Sequence, residues 1–288
     1  MMIKTSRQLK DLTRNLSKGN SGKAQFLLRN YAMERFLERM SVSQYKDNFI
    51  LKGGVLVTAM VGLDMRMTMD IDTTIRNFSL TPEKAGQIIG EIIEIPLEDN
   101  IRFQIKSVAN IMDELEYGGV RLSLDTFLDT MCIPLKIDIS TGDQITPAEI
   151  RFQYKLMFEE RYISVWAYNL ETVLAEKLEA ILVRGILNTR LRDFYDVYIL
   201  QNKEMQIDLR ILSDAIRATC KKRGSEDTLS NYPDTLDRIE HNAAMHDLWK
   251  VYQKKNSYAD SITWDAVVSA VRFLCDSCIP DHKKGEEE

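Results

Sequence analysis

Two aspartates one residue apart, Asp70 and Asp72, lie in a largely apolar stretch between residues 50 and 75. Successive side chains of an extended strand alternate between its two faces, so this spacing places both carboxylates on the same face. Two oxygen ligands that share a direction suit a magnesium ion, which keeps several waters and completes its coordination with phosphates. The pair therefore predicts a strand that presents a metal site, with a solvated strand edge as the alternative.

A pair of glycines, Gly53 and Gly54, precedes this strand. It follows the apolar residues 49–51 and comes before the mostly apolar residues 55–63, so it predicts a turn from a strand into a helix. Backbone N–H groups at such a turn can hold phosphate. An ordinary turn is the alternative, but the glycines and the aspartates together are more specific than either signal alone.

The composition is that of an ordinary globular protein. The 288 residues suffice for one large or two modest domains, with 44% hydrophobic and 28% charged residues. No apolar run approaches the roughly 18 residues of a membrane span, and the start MMIKTSRQLKD lacks the apolar core of a signal peptide. The 4 cysteines are too few and too scattered for a disulfide framework. We therefore expect a cytoplasmic protein with no membrane partner.

Positive charge is concentrated near the start of the chain, although the net charge is −5. The basic segment, residues 1–39, contains nine Lys or Arg residues against three acidic ones. A basic surface beside an acidic metal site suits an enzyme that modifies a polyanion, because phosphates attract Lys and Arg. A solvated helix face is the alternative for this segment alone.

Helices are predicted over residues 4–17, 21–41 and 82–93, the first two covering the domain that follows. Three runs downstream have the pattern of strands, residues 101–106, 120–124 and 133–139, and Asp138 is the only acidic residue of the last. Carboxylates on two strands can build a two-metal site, so Asp138 is a candidate third ligand. An edge-strand aspartate near a turn is the alternative.

Lys177 interrupts the apolar stripe of a helix that begins after the N-cap residue Asn169. A lysine is costly to bury alone, so its ammonium group either reaches solvent or meets an anion. The following helix carries Asp193 and Asp196, and a buried ion pair between Lys177 and Asp193 is the sharper prediction. Surface salt bridges between helices are the alternative. The remainder to residue 279 is predicted helical, and residues 281–288 are predicted to be a disordered tail.

The order of four segments resembles the AbiEii/AbiGii-type nucleotidyltransferase toxins of type IV toxin–antitoxin and abortive-infection systems. These segments are LKGGVLV, RMTMDIDTTI, LKIDI and LETVLAEKLEAILVRGILNTRLRDFYDVY. The resemblance implies an α+β fold with a DNA polymerase β-like nucleotidyltransferase core, a small mixed sheet with flanking helices, and a helical C-terminal domain. It places N-terminal helices at 1–48, the core at 49–165, and at 166–288 a helical domain that completes the active site.

The same resemblance gives roles to individual residues. The implied metal ligands are Asp70, Asp72 and Asp138, the implied catalytic residues add Lys177 and Asp193, and the implied substrate-binding residues are Gly53, Gly54, Arg66, Thr68, Lys177, Arg192 and Asp196. One departure concerns the glycine turn, where related transferases often have Gly-Ser. Without that hydroxyl, only backbone N–H groups are left to hold phosphate at the turn.

The implied activity is a nucleotidyl transfer supported by two Mg²⁺ ions. An NTP donates its nucleoside monophosphate to an acceptor, for which the resemblance favours the 3′ end of tRNA, and pyrophosphate is released. As a toxin of phage defence, the chain is expected to have a cognate antitoxin encoded nearby without an obligate complex between the two. Transfer to a protein hydroxyl and a non-catalytic NTP-binding module are the alternatives.

Overall fold

The structure is a computed structural model that describes residues 3–111, 118–203 and 206–279. The chain divides into two compact units. The sheet unit comprises Met1–Leu63, Met67–Asp143 and Glu149–Tyr168. The helical unit comprises Asp64–Arg66, Gln144–Ala148 and Asn169–Glu288. The predicted tail at 281–288 lies outside the described residues.

The described residues of the sheet unit form a mixed sheet of seven strands. In chain order they are β1 (Phe49–Lys52), β2 (Asp70–Ile75), β3 (Arg102–Ile111), β4 (Gly119–Leu128), β5 (Met131–Thr141), β6 (Ile150–Lys155) and β7 (Tyr162–Ala167). Their spatial order is β3-β4-β5-β2-β1-β7-β6. Strand β2 is parallel to β5, β1 is parallel to β7, and the other neighbouring pairs are antiparallel. The predicted α+β class with a mixed sheet is confirmed.

In the described part of the sheet unit, the helices are α1 (Ser6–Ser17), α2 (Ser21–Val42), α3 (Gly53–Val61) and α4 (Pro82–Ile93). Asn20 and Thr81 cap α2 and α4 through side-chain oxygens that accept backbone N–H groups. Helix α2 packs against β5 and β7, and α4 packs against β3. The predicted helices over 4–17, 21–41 and 82–93 are therefore confirmed within a residue or two, with α1 packed against α2 and α2 packed against the sheet.

Strand β5 shows how the sheet separates its two faces. Ile133, Leu135, Ile137 and Ile139 are buried on one face, whereas Lys136 is exposed on the other. Asp138 lies on the face of Lys136, because strand side chains alternate with a period of two. The apolar face supplies the core, and the opposite face is left to polar side chains. The strands β6 and β7 were absent from the sequence prediction.

The helical unit is built from α5 (Leu170–Arg184), α6 (Leu191–Asn202), α7 (Leu209–Arg223), α8 (Asp227–Ser230), α9 (Tyr232–Glu240), α10 (Ala243–Lys255) and α11 (Trp264–Cys278). Two short 3₁₀ helices, Gly185–Leu187 and Ser257–Ala259, join them. Asn169 caps α5 as predicted, since its side chain accepts the N–H of Thr172. Helix α5 packs against α6 and α7. Within the described residues, no helix combines the length and apolar character that crossing a bilayer requires.

The basic segment is less positive at the surface than its sequence indicates. Arg35 and Arg39 are buried, and their guanidinium groups pair with Glu38 and Asp99 respectively. Both arginines lie in the buried part of α2, where their charges are used in these internal ion pairs. The exposed positive charge of this segment therefore lies mainly on and around α1.

Candidate active site

The three predicted metal ligands share one face of the sheet unit. Asp70 and Asp72 are both half-buried on β2, while Ile71 between them is fully buried on the opposite face. In the parallel pairing of β2 with β5, Asp72 lies directly beside Asp138, and Asp70 lies beside Lys136. Partners in register point to the same side of a sheet. The sequence prediction that these carboxylates share a direction is confirmed, whereas their binding of metal stays a prediction.

The glycine turn closes against one of these carboxylates. Gly53 has a φ of +62°, a left-handed conformation that favours glycine, and it begins α3 immediately after β1. A Cβ added to Gly53 would lie 2.2 Å from Oδ2 of Asp72, too close for any side chain. The N–H of Gly54 donates to the same oxygen over 3.2 Å. One N–H group of the turn therefore holds Asp72 in place, although the sequence prediction reserved the turn for phosphate.

Asp138 is held by an arginine that sequence reasoning missed. Arg121 on β4 is the register partner of Asp138, and its Nε and Nη2 donate to the two carboxylate oxygens over 2.8 and 2.7 Å. The Arg121 side chain is 35% exposed and that of Asp138 is 16% exposed. Such a bidentate pair fixes the orientation of the carboxylate as well as offsetting its charge.

A second ion pair borders the carboxylates on the side of β1. Lys52 is the register partner of Asp72, and its ammonium group pairs with Asp143. Ser140 also donates its hydroxyl to Asp143 over 2.7 Å. Burial alone would raise the pKa of Asp143, but the charge and hydrogen bond of Lys52, together with the hydrogen bonds of Ser140 and Tyr168, outweigh it and hold that pKa below its ordinary value. Two neighbouring acids, Asp138 and Asp72, thus lie between two cations, Arg121 on one side and Lys52 on the other.

The electrostatics around Asp72 favour a bound cation. Burial raises the pKa of Asp72 above its ordinary value, and the neighbouring charge of Asp138 raises it further. A divalent cation relieves such crowding, and carboxylate oxygens are the ligands that Mg²⁺ prefers. Asp70 and Asp72 therefore fit a magnesium ion, whereas both oxygens of Asp138 are engaged by Arg121. Throughout residues 3–111, 118–203 and 206–279, no group of three or more acidic, His or Cys side chains is arranged to hold a metal.

The helical unit contains a separate cluster around Lys177. Its side chain is 11% exposed, and Nζ donates to Oδ2 of Asp196 over 2.6 Å and to Oδ1 of Asp193 over 3.3 Å. The predicted ion pair between Lys177 and Asp193 is confirmed, so the lysine meets anions and does not extend into solvent. Arg190 lies 3.3 Å from the other oxygen of Asp193. The cluster holds the ammonium group of Lys177 in a fixed position.

Arg66 belongs to the same cluster. Its guanidinium group is buried and donates to both oxygens of Asp196, through Nε over 2.7 Å and Nη2 over 3.3 Å. Arg66 and Asp196, both predicted to bind substrate, are thus each other's partners in this structure. Of the other two residues implied for substrate, Thr68 is buried in the sheet unit and Arg192 is exposed on α6.

Arg121, Lys52 and Asp143 are the site residues that the sequence analysis missed. Arg121 is the only charged residue of the predicted strand at 120–124, and alternation alone places it opposite the buried Val120 and Leu122. That signal marks Arg121 as facing the polar side of the sheet. Its pairing with Asp138 depends on the register of two strands, which no local pattern specifies.

Comparison with known proteins identifies the family of this chain and several solved structures with a similar fold. The family model described as nucleotidyl transferase AbiEii toxin, type IV TA system, matches residues 35–270. The crystal structure of JHP933 from Helicobacter pylori is 15% identical, with 87% of this chain and 90% of that chain covered and a TM-score of 0.51. A second H. pylori protein, provisionally assigned as a nucleotidyltransferase, is 15% identical, with 87% and 93% covered and a TM-score of 0.50. A search of curated proteins found no match.

Proposed function

Because this chain belongs to the AbiEii nucleotidyl transferase toxin family of type IV toxin–antitoxin systems and is a nucleotidyltransferase, we propose that it acts with magnesium on a polynucleotide acceptor. The observation that carries the proposal is the register of β2 with β5, which sets Asp72 beside Asp138 with Asp70 on the same face. Two carboxylates that fit Mg²⁺, with a third beside them on the same sheet face, suit a metal-supported phosphoryl transfer.

In the proposed reaction, an acceptor hydroxyl oxygen attacks the α-phosphorus of an NTP. A bond forms between that oxygen and phosphorus, the bond from phosphorus to the bridging oxygen breaks, and pyrophosphate leaves with the electron pair. Asp70 and Asp72 would hold Mg²⁺, which neutralises phosphate charge when it is bound; the predicted second ion remains part of the proposal. Asp138 orients the acceptor hydroxyl and accepts its proton.

Lys177 is proposed to neutralise charge on the triphosphate. Its contacts with Asp193 and Asp196 support a positioning role for both acids, because a lysine otherwise samples many rotamers. The alternative, a purely structural ion cluster, makes a different prediction. Replacement of Lys177 by arginine would then change stability but leave transfer by the folded variant unchanged, whereas a lysine that contacts the triphosphate would lose transfer when its shape changes.

The proposed acceptor is the 3′ end of tRNA, as the family resemblance favours. Helix α1 supports an RNA acceptor because Arg7, Lys10 and Arg14 are exposed at helical spacing, while Leu9 and Thr13 are buried on its other side. We name these three basic residues the α1 stripe. Exposed cations at this spacing follow a phosphate backbone without reading its sequence.

Label transfer tests the proposal directly. The full chain is incubated with α-³²P-labelled NTPs, MgCl₂ and total RNA, and the products are treated with ribonuclease or protease. We expect ribonuclease-sensitive label with the wild type and none with Asp70→Asn. The matched control is Asp125→Asn, which removes an acid from β4 that pairs with Lys106.

Every other outcome of this assay supports an alternative function or refutes the assigned site. Label that follows protein and resists ribonuclease indicates transfer to a protein hydroxyl. Nucleotide binding without any label transfer indicates a non-catalytic NTP-binding module. Undiminished transfer by Asp70→Asn contradicts the assignment of the carboxylate face.

The family implies an antitoxin partner, and we propose that it forms no obligate complex with this chain. Expression of the chain alone should slow bacterial growth, and Asp70→Asn should remove that effect. Co-expression of the neighbouring antitoxin gene should restore growth without the two proteins co-purifying. A stable co-purified complex would contradict this part of the proposal.

A further inference from the structure

Arg121 occupies the position that a cation would take beside Asp138. Its guanidinium group forms two parallel bonds of 2.8 and 2.7 Å with the two oxygens of that carboxylate. The pair is electrically neutral, although the carboxylate next to it in register is that of Asp72. Arg121 therefore offsets part of the negative charge that Asp138 adds to the carboxylate face.

The geometry limits how Asp138 can bind a metal in this arrangement. Each oxygen already accepts a short charge-assisted hydrogen bond, so a bidentate metal contact would have to displace the guanidinium group. A monodentate contact would bring a divalent cation close to the positive charge of Arg121, which opposes binding. Asp70 and Asp72 do not share this limitation, because the two hydrogen bonds of 2.8 and 2.7 Å are to the oxygens of Asp138.

We propose that Arg121 is a positioning residue that withholds Asp138 from the metal until the triphosphate binds. This inference rests on the proposed function and assigns a role that neither the motif residues nor the family match supplies. Arginine binds phosphate with the same bidentate geometry that it uses for carboxylate, so a triphosphate competes with Asp138 for the guanidinium group. Transfer of Arg121 from Asp138 to phosphate releases the third carboxylate when the substrate is present. The half-exposed Arg121 side chain has the solvent access that this exchange requires.

Metal binding by the full chain without nucleotide tests the inference. Mn²⁺ is titrated into the protein, the free ion is measured by its electron paramagnetic resonance signal, and displacement by Mg²⁺ shows that both ions share a site. We expect Arg121→Gln to bind Mn²⁺ at least about fivefold more tightly than the wild type, because a competing cation is removed. Arg121→Lys keeps the charge without the two-pronged geometry and should bind with intermediate affinity.

Two further variants separate this mechanism from a general charge effect. Arg102→Gln removes an exposed arginine from β3 of the same sheet, and its Mn²⁺ affinity should stay within about twofold of the wild type. Asp138→Asn should remove the gain when combined with Arg121→Gln, because the gain acts through the freed carboxylate. Unfolding midpoints in urea verify that each variant is folded. If Arg121→Gln does not fold, the Mn²⁺ affinity of Arg121→Lys still tests the inference.

The failures of the two proposals are distinguishable. If Mn²⁺ binding is lost in Asp70→Asn but is unchanged or weaker in the Arg121 variants, the metal site stands and the role of Arg121 is refuted. If neither the wild type nor any Arg121 variant shows binding that depends on Asp70, the metal part of the proposed function fails together with this inference. A gain that persists in the Arg121→Gln, Asp138→Asn double variant also refutes the mechanism.

Discussion

Replacing Asp196 by asparagine should destabilise the helical unit more than any other single change in its charged cluster. Asp196 is fully buried and binds two cations at once, Arg66 through both carboxylate oxygens and Lys177 over 2.6 Å. Asparagine keeps the shape but leaves both cations without their shared anion. Breaking a buried pair from one side costs about 3–5 kcal/mol, since the remaining charge is desolvated without compensation.

The contacts within the cluster also predict the order in which other substitutions reduce stability. Arg66→Met leaves Asp196 with Lys177, so the loss should be that of hydrogen bonds to a charged group, about 1.5–3 kcal/mol. The double variant Arg66→Met, Asp196→Leu replaces a buried pair by apolar groups and should cost less than Asp196→Asn alone, because apolar replacement of a whole pair is often neutral. The order of the three free energies follows from the contacts alone.

These differences in the free energy of unfolding are measured by urea titration, with tryptophan fluorescence as the signal from the helical unit. Trp249 and Trp264 are buried in the helical unit, and a Trp166→Phe background removes the tryptophan of the sheet unit. Asp214→Asn, an exposed change on α7, is the matched control and should stay within about 0.5 kcal/mol. A loss below about 1 kcal/mol for Asp196→Asn, with an unchanged m-value, would refute the reasoning from buried charge.

The pH dependence gives an independent check of the same pair. Burial alone would raise the pKa of Asp196, but Arg66 and then Lys177 outweigh it and hold the pKa below its ordinary value. A carboxyl with a lowered folded-state pKa contributes stability that is complete above its unfolded pKa of about 3.9 and is lost as pH falls through the folded value. The stability difference between wild type and Asp196→Asn should therefore be constant near pH 7 and shrink below about pH 4.

Three other changes test the sheet unit. Gly53→Ala should abolish label transfer and lower the urea midpoint, because its Cβ would collide with Asp72. The control Gly90→Ala in α4 has open space around the added Cβ and should stabilise the fold by about 0.5–1 kcal/mol. Asp72→Asn should abolish transfer yet raise the urea midpoint at pH 7. Burial and then the charge of Asp138 raise the pKa of this carboxyl, so its charged form is disfavoured in the folded protein. A lowered urea midpoint would contradict this explanation. Neutralising the α1 stripe to glutamine should weaken tRNA binding and reduce the slope of log K against log salt by about 2–3, and an unchanged slope would exclude the stripe from the interface.

Local signals in the sequence were sufficient for much of the fold. The cap residue Asn169 identified the start of a helix because the first N–H groups of a helix need side-chain acceptors. Alternation identified β5 and placed its acid on the polar face. Lys177 on an apolar stripe predicted either access to solvent or a nearby anion, because a buried ammonium group is costly alone, and the structure supplies two anions. Each of these inferences used residues within a few turns or one strand.

What escaped the sequence depends on distant pairing. Arg66 and Asp196 are separated by 130 positions, so the motif resemblance gave both residues to substrate although they bind each other. Arg121 and Asp138 meet only through the register of β4 with β5. Strand β6 did carry a local signal, alternation from Ile150 to Lys155, which the sequence analysis did not use.

The division of the chain into two units has a consequence for truncated variants. The helical unit takes Asp64–Arg66 and Gln144–Ala148 from the middle of the segments that build the sheet unit. A fragment that begins at Asn169 would carry Asp196 without Arg66, and its first amide side chain would lack the carbonyls of Thr146 and Ala148 that it binds. Truncation at the boundary near residue 168 should therefore give an insoluble product, and fragment complementation would need the first 168 residues to be supplied in trans.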